Sequence, residues 1–343
     1  MKVRARRLFA FGKAIVALDA AAADDSGDAS GAAGPGSRRA RQEDDLLAGL
    51  LDAPGLAART SGVVLPAAAW ADGGRPRQVR DAGMLAGARA DVGSESILAD
   101  GQAQVSSGLD GLAARLGRLR ERGAGFAVWH MTAIAALEQD ALHALTVNSQ
   151  SSARFAYVCQ DMALVPVIRL WMRPIGALEP LSREAILAAA LISVGGHLED
   201  LGVDLAGVVL GMEPELGNDA DPLSAGPLAA LPRTLGGVLL AARPHRPATD
   251  ALAKVRSVHP PWPVTCCLDV KPGVDRAARV RAASIGPAAP VGPIGPVAPV
   301  GPVAPVGPVA PVGPVGPAAS GGPAPVRAAP VGLALAAVPV TRR

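Results

Sequence analysis

Eight short apolar runs punctuate this chain, and between them lie longer stretches in which apolar residues return at helical spacing. The runs are Ala14–Leu18, Gly62–Leu65, Met84–Ala90, Gly125–Trp129, Leu164–Arg169, Ala206–Met212, Gly237–Ala241 and Val264–Leu268. Their length and apolar content predict strands. The intervening segments include Leu112–Arg122 (LAARLGRLRER), Leu137–Gln160 and Ser182–Leu201. The last of these puts Leu187, Ala190 and Leu191 on one face of a helix. Strands alternating with amphipathic helices are the mark of a parallel sheet. Eight of them suit a (β/α)8 TIM-type barrel, and periodicity alone leaves an open doubly wound sheet almost equally good.

The ends of the chain read differently. Ala21–Gly36 (AAADDSGDASGAAGPG) is small, Gly-rich and acidic, and predicts a flexible loop after the first strand. From Gly286 to Ala318 the chain repeats a triplet with proline at every third position. Such spacing forbids helix and sheet and favours an extended polyproline II rod. Ala289, Ala298, Ala304 and Ala310 interrupt the glycine period that collagen needs. The PxxP cores have no adjacent Arg or Lys, so a disordered tail is favoured over a specific peptide ligand. The expected organisation is a barrel over residues 1–283, with 21–36 as its flexible loop, and a Pro/Val/Gly/Ala low-complexity tail over 284–343.

Composition narrows the function classes. Half the residues are apolar but only 3% are aromatic, while glycines number 40 and prolines 32 of 343. A core of Ala, Val and Leu buries less area per side chain than one built on large rings, which predicts a marginal fold. The net charge of +3 comes from dispersed basic residues, so no nucleic-acid partner is expected. Behind the basic Met1–Arg7, the apolar run is broken by Gly12 and Lys13, too short for a signal segment or a membrane span. A cytoplasmic protein with no membrane partner is the expectation.

Three cysteines fit a reducing compartment: Cys159 falls inside a predicted helix, and adjacent Cys266 and Cys267 point to opposite faces of a predicted strand. The five histidines (130, 143, 197, 245, 259) show neither HExxH nor His-x-His spacing, and CxxC is absent. No metal site and no cofactor are expected.

Three segments carry a family resemblance. They are Gly12–Asp19 (GKAIVALD), Ser107–Leu112 (SGLDGL) running on to Gly123–His130 (GAGFAVWH), and Ala153–Ile168 (ARFAYVCQDMALVPVI). Together they resemble the class I fructose-bisphosphate aldolase family, over roughly residues 8–280. The resemblance decides for the barrel. It implies cleavage of fructose 1,6-bisphosphate to two triose phosphates in glycolysis, through a lysine near the end of the sixth strand that forms a Schiff base with the substrate ketone. From Ile168 to Gly211 the chain fits the family pattern without insertion or deletion, and the family's Gly-x-x-Leu-Lys element falls on Gly207–Gly211. Gly211 stands where the lysine is expected.

Other positions implied by the resemblance also differ. The fourth strand has Val128 and His130 around Trp129, where the family has a lysine and an arginine. The fifth ends in Arg169-Leu170-Trp171 where the family carries two glutamates, one on each side of a single residue. A glutamate exchanges protons, whereas arginine, with a pKa above roughly 12, does not. Asp19 matches the first-strand aspartate, and Arg89 and Asp91 stand for a lysine and an aspartate after the third. Arg89 and Asp91 share a face, as suits either a structural ion pair or a substrate clamp. His130 reads more readily as a packed or rim histidine than as a catalytic one. At the phosphate position, Arg243 offers a weak anion contact, and Pro244 has no N–H to donate. None of the four lysines (2, 13, 254, 271) lies on a strand end facing Gly211; Lys271, just past the last strand, is the only conceivable substitute.

The expectation is an aldolase homologue with no intact catalytic set. Two further readings stay open: a non-catalytic partner that assembles with itself or with an active aldolase, and a decayed gene product without selected function. A sugar phosphate, bound weakly or not at all, is the expected small-molecule ligand.

Overall fold

A computed structural model of the chain describes residues 2–9, 13–18, 38–52, 55–71, 73–97, 103–135, 139–174, 180–213, 230–242 and 262–269. All of them fall within the compact unit Met1–Pro290. The predicted flexible loop, the repeat and the boundary at 283 lie outside the described residues.

Eight strands close into a parallel barrel. In chain order they are β1 (Ala14–Ala17), β2 (Thr60–Leu65), β3 (Leu85–Arg89), β6 (Phe126–Ala135), β7 (Val165–Pro174), β8 (Val209–Glu213), β9 (Gly237–Ala242) and β10 (Val264–Asp269). Neighbours follow chain order, and β1 pairs with β10 to close the ring. Every predicted strand corresponds to one of these. The sixth is displaced: Leu205–Gly207 is a turn of 3-10 helix, capped by the Asp204 carboxylate accepting from the Ala206 N–H, and extended pairing begins at Val209.

Alternation along each strand sorts side chains into two layers. Ile15, Ala17, Val64, Leu85, Phe126, Val128, Val165, Val167, Val209, Leu239 and Cys267 fill the barrel interior. Their outward neighbours, among them Val16, Val63, Trp129, Ile168, Leu210 and Cys266, pack against the surrounding helices. The two adjacent cysteines therefore divide between the layers as the sequence predicts. Phe126 is the largest interior side chain. Its room comes from Gly87 on β3, where a Cβ would stand 2.2 Å from the ring. Burying such a ring contributes about 1.5–3 kcal/mol.

The floor of the barrel is closed by α1 (Lys2–Leu8), a helix that the sequence reading did not anticipate. Ala5 and Leu8 belong to the interior cluster, and the Phe9 ring occupies the space over Gly237, where a Cβ would lie 2.1 Å from it. Ser61 Oγ lies within hydrogen-bond reach of the Leu8 and Ala14 carbonyls, at 2.7 and 3.2 Å, and so ties the helix to the foot of β1.

Helices α2 (Arg38–Leu51) and α3 (Leu56–Arg59) precede β2, and four more return the chain to the foot of the next strand: α4 (Gly74–Asp81), α5 (Leu112–Glu121), α6 (Gln139–Asp161) and α7 (Pro180–Asp200). On α7 the predicted apolar face of Leu187, Ala190 and Leu191 is buried, with Val194 and Leu198 continuing it. All four end in one hydrogen-bond pattern. In α6, the Leu164 N–H donates to the Cys159 carbonyl and the Ala163 N–H to that of Gln160, a Schellman motif. The residue after the cap must take positive φ; α4, α5 and α7 place Gly83, Gly123 and Gly202 there, and α6 places Ala163 at φ 55.

Past β3 the chain makes an antiparallel hairpin of β4 (Gly93–Ser96) and β5 (Gln104–Ser107), also unanticipated. Asn148 of α6 holds it: its side chain accepts from the Ser106 N–H and donates to the Gln104 and Thr132 carbonyls. Arg115 donates to the Ala90, Gly108 and Asp110 carbonyls and fixes the two chain ends of this excursion. These bonds set the backbone beside the strand ends where the charged residues gather.

Candidate active site at the mouth of the barrel

The C-terminal strand ends of a (β/α)8 barrel converge on one mouth, and inward-facing positions there present side chains to it. On β3, β6, β7 and β8 those positions are Arg89, His130, Arg169 and Gly211. Registers place Arg89 opposite Val128, His130 opposite Arg169, and Arg169 opposite Gly211. Val128 itself is one step lower and belongs to the apolar interior. Trp129 faces outward, stacked on Phe155 with centroids 5.3 Å apart.

One side of the mouth is a buried cluster of three residues. Asp91 follows β3, and its side chain is only 1% exposed. Oδ1 accepts from Nε and Nη2 of Arg89. Oδ2 accepts from the His130 backbone N–H and lies 3.0 Å from His130 Nδ1. Burial alone would raise the Asp91 carboxyl; the His130 imidazole and the Arg89 guanidinium outweigh it and hold the group well below the usual carboxylate range. An ionised carboxylate only accepts, so Nδ1 of His130 carries the proton and Nε2 keeps its lone pair while the ring is neutral. Ser106 Oγ, 2.6 Å from the His130 carbonyl, steadies the same residue from the hairpin.

The opposite side is spanned by Arg169. Its guanidinium donates two hydrogen bonds to Asp269 at the end of β10, at 3.0 and 2.7 Å. To get there the side chain passes β8: a Cβ on Gly211 would lie 3.0 Å from Arg169 Cγ. The stem of Arg169 thus runs along the face that Gly211 leaves bare, and its side chain is 4% exposed. Cys267 lies beneath, its thiol pushed up to about 12 mainly by burial, against the opposing pull of Arg169. It stays protonated at neutral pH and is no nucleophile. Trp171, two residues beyond Arg169 on β7, is 8% exposed, and among the described residues its indole N–H has no hydrogen-bond partner.

The structure therefore brings together Arg89, Asp91 and His130 on one side and Arg169, Gly211 and Trp171 on the other. Asp19 and Arg243 lie outside the described residues, as do Lys254 and Lys271. Lys13 is at the foot of β1, its Nζ donating to the Ala57 carbonyl, remote in level from the mouth. Among the described residues no three His, Cys, Asp or Glu side chains gather as metal ligands. Sequence reasoning missed Asp269. Its signal was available: it follows the run VTCCL and shares the inward face of Cys267.

Fold and site define a (β/α)8 barrel with a charged cluster at its C-terminal mouth. The profile of the class-I fructose-bisphosphate aldolase family matches residues 38–214, and the chain belongs to that family. Cytoplasmic isozyme 2 of fructose-bisphosphate aldolase from Pisum sativum is 30% identical over 132 residues, 38% of this chain and 37% of that protein. The muscle-type enzyme of Lethenteron camtschaticum is 30% identical over 173 residues, 48% of each chain. The matched stretch thus spans less than half the length of these curated relatives. Among solved structures, fructose-bisphosphate aldolase from Plasmodium falciparum, in complex with TRAP and a small-molecule inhibitor, superposes with a TM-score of 0.63. It covers 82% of this chain and 89% of that one at 18% identity, a likeness of fold. Among the described residues no helix is long and apolar enough to cross a membrane.

Proposed function

We propose that this chain is an aldolase-family barrel that engages its ligands without forming a Schiff base. One observation carries the reading. The Arg169 guanidinium, fixed on Asp269, extends past Gly211, so the place where an amine would meet a ketone holds a permanent cation and its aliphatic stem. A covalent iminium needs an amine that can lose its proton, and it develops positive charge as it forms. A guanidinium supplies neither a deprotonable amine nor a favourable field. Val128, His130 and Trp171 stand at positions where the resemblance leads one to expect a lysine, an arginine and a glutamate. The family's carbon–carbon cleavage is accordingly not the activity of this chain, and any sugar phosphate at the mouth binds non-covalently. The names of the relatives, cytoplasmic isozymes among them, favour the cytosol as its compartment.

The test is to treat the full-length protein with fructose 1,6-bisphosphate or dihydroxyacetone phosphate and borohydride, then weigh it. Unchanged mass is expected. A triose adduct on any lysine, Lys271 included, overturns the reading.

A further inference from the structure

We propose that His130 is the base of a proton-transfer site acting on short, uncharged α-hydroxy carbonyl compounds without a covalent intermediate. The inference rests on the reading that no Schiff base forms here. Four observations support it. First, the imidazole is oriented: Nδ1 is committed to Asp91 at 3.0 Å, and among the described residues nothing bonds Nε2. Second, the ring is 16% exposed while Asp91 beneath it is 1% exposed, so the buried carboxylate can steady an imidazolium that remains open to the mouth. Third, Arg169 occupies the strand position paired with His130, and its guanidinium, held by Asp269, sets a fixed cation across the same mouth. Fourth, Trp171 faces the mouth one step higher and holds a buried indole N–H that no group among the described residues satisfies. An orphaned donor of this kind costs free energy unless something accepts from it.

Together these make a base facing two stabilisers of negative oxygen across one mouth, the arrangement that enolisation requires. Nε2 takes the proton from the carbon next to the carbonyl. The C–H electron pair becomes the new C=C bond, and the carbonyl π pair moves to oxygen as an enediolate. The imidazolium is balanced by Asp91, and the oxyanion by Arg169 and the Trp171 N–H. Return of a proton from His130 to the same carbon gives exchange with solvent; return to the neighbouring carbon, with the hydroxyl proton passing to the oxyanion so that the C=O moves to the first carbon, interconverts ketose and aldose. Nothing is oxidised or reduced overall. The substrate class follows from charge. Among the described residues, Arg89 is paired with Asp91 and Arg169 with Asp269, which leaves those two guanidinium groups no surplus of positive charge for a phosphate ester.

The experiment uses the full chain in deuterated buffer with dihydroxyacetone, following loss of the carbon-bound proton signal by NMR. One portion is first treated with substrate and borohydride and dialysed. Wild type should exchange at least about 10-fold above buffer, with no effect of the pretreatment. His130→Gln should fall to the buffer rate with its circular dichroism unchanged. Trp171→Phe should lose most of the exchange above the buffer rate, as expected for removing one oxyanion donor. Asp91 is a positioning residue, so a folded Asp91→Asn should lose maximal rate while the half-saturating concentration holds. Wild-type exchange at the buffer rate, or full exchange by folded His130→Gln, overturns the proposal and leaves standing the reading that no Schiff base forms. Exchange abolished by the pretreatment identifies an amine and overturns both.

Discussion

Asp91 accepts from four donors on two oxygens while almost wholly enclosed, and removing its charge should cost more than any other change at the mouth. Asp91→Asn leaves Arg89 facing a neutral amide, and breaking a buried ion pair costs about 3–5 kcal/mol, readable by urea unfolding. The pH dependence has a definite sign. The folded-state value lies below the unfolded value of roughly 3.9, so the stabilisation is complete above that pH and is lost as pH falls toward the folded-state value. Wild type should therefore lose stability on acidification below about pH 5 more steeply than Asp91→Asn. A second expectation concerns Gly211→Lys. A side chain there must displace Arg169 Cγ from 3.0 Å, a small shift for a flexible stem, so the variant should fold. Its ammonium would still stand beside a guanidinium, and cleavage of fructose 1,6-bisphosphate in a coupled assay should stay at background; turnover of roughly 1 s⁻¹ or more would contradict this.

At the scale of elements, the helix ends offer a sharp comparison. Three of the four Schellman motifs place glycine at the left-handed position and the fourth places Ala163. A Cβ in that conformation costs roughly 1–2 kcal/mol, against about 0.5–1 kcal/mol for the extra chain entropy that glycine loses. Ala163→Gly should raise stability by a few tenths to about 1 kcal/mol, seen as a higher urea midpoint with an unchanged slope. The same motifs explain what the sequence disclosed. Strand runs bounded by Gly83, Gly123 and Gly202 were legible because apolar periodicity and the helix stop agree. The hairpin was not, because Gly93–Ser96 and Gln104–Ser107 are polar and exist through Asn148, a contact between residues 42 apart for which neither segment carries a local signal. α1 was missed for a related reason: its apolar residues are few, and they acquire meaning only against Gly62 and Gly237.

At the scale of the molecule, the barrel was recoverable by counting strands, and the family resemblance decided between two sheet topologies. The site was half legible. Resemblance located Arg89, Asp91, His130, Arg169 and Gly211, but not the partners that give them their chemistry. That His130 would lean on Asp91, and that Arg169 would cross to Asp269, depends on residues 39 and 100 positions apart meeting at one level of the barrel. The repeat carries a further expectation from its composition. Proline at every third residue removes backbone donors, so Gly286–Ala318 can add neither ladder nor helix bonds. Ending the chain at Ala283 should change stability by no more than about 0.5 kcal/mol. Compared melting curves check this, and a midpoint lowered by several degrees would make the segment part of the folded body.

Closure of the ring between β1 and β10 also has a kinetic consequence. The Thr265 hydroxyl meets the Lys13 carbonyl across 252 residues, and Ile15, Val16 and Ala17 align with Cys267, Leu268 and Asp269. No arc of fewer than eight strands offers either seam strand its second neighbour, and Phe9, at the end of the floor helix, meets Gly237 only when β9, the seventh strand of the barrel, arrives. Sequence-distant pairing of this kind slows the search for the native state, because loop entropy is lost before contacts compensate for it. Until the seam zips, two raw sheet edges face solvent, a template for joining with another chain. Refolding yield should therefore fall as protein concentration rises, at temperatures where the closed ring itself is stable.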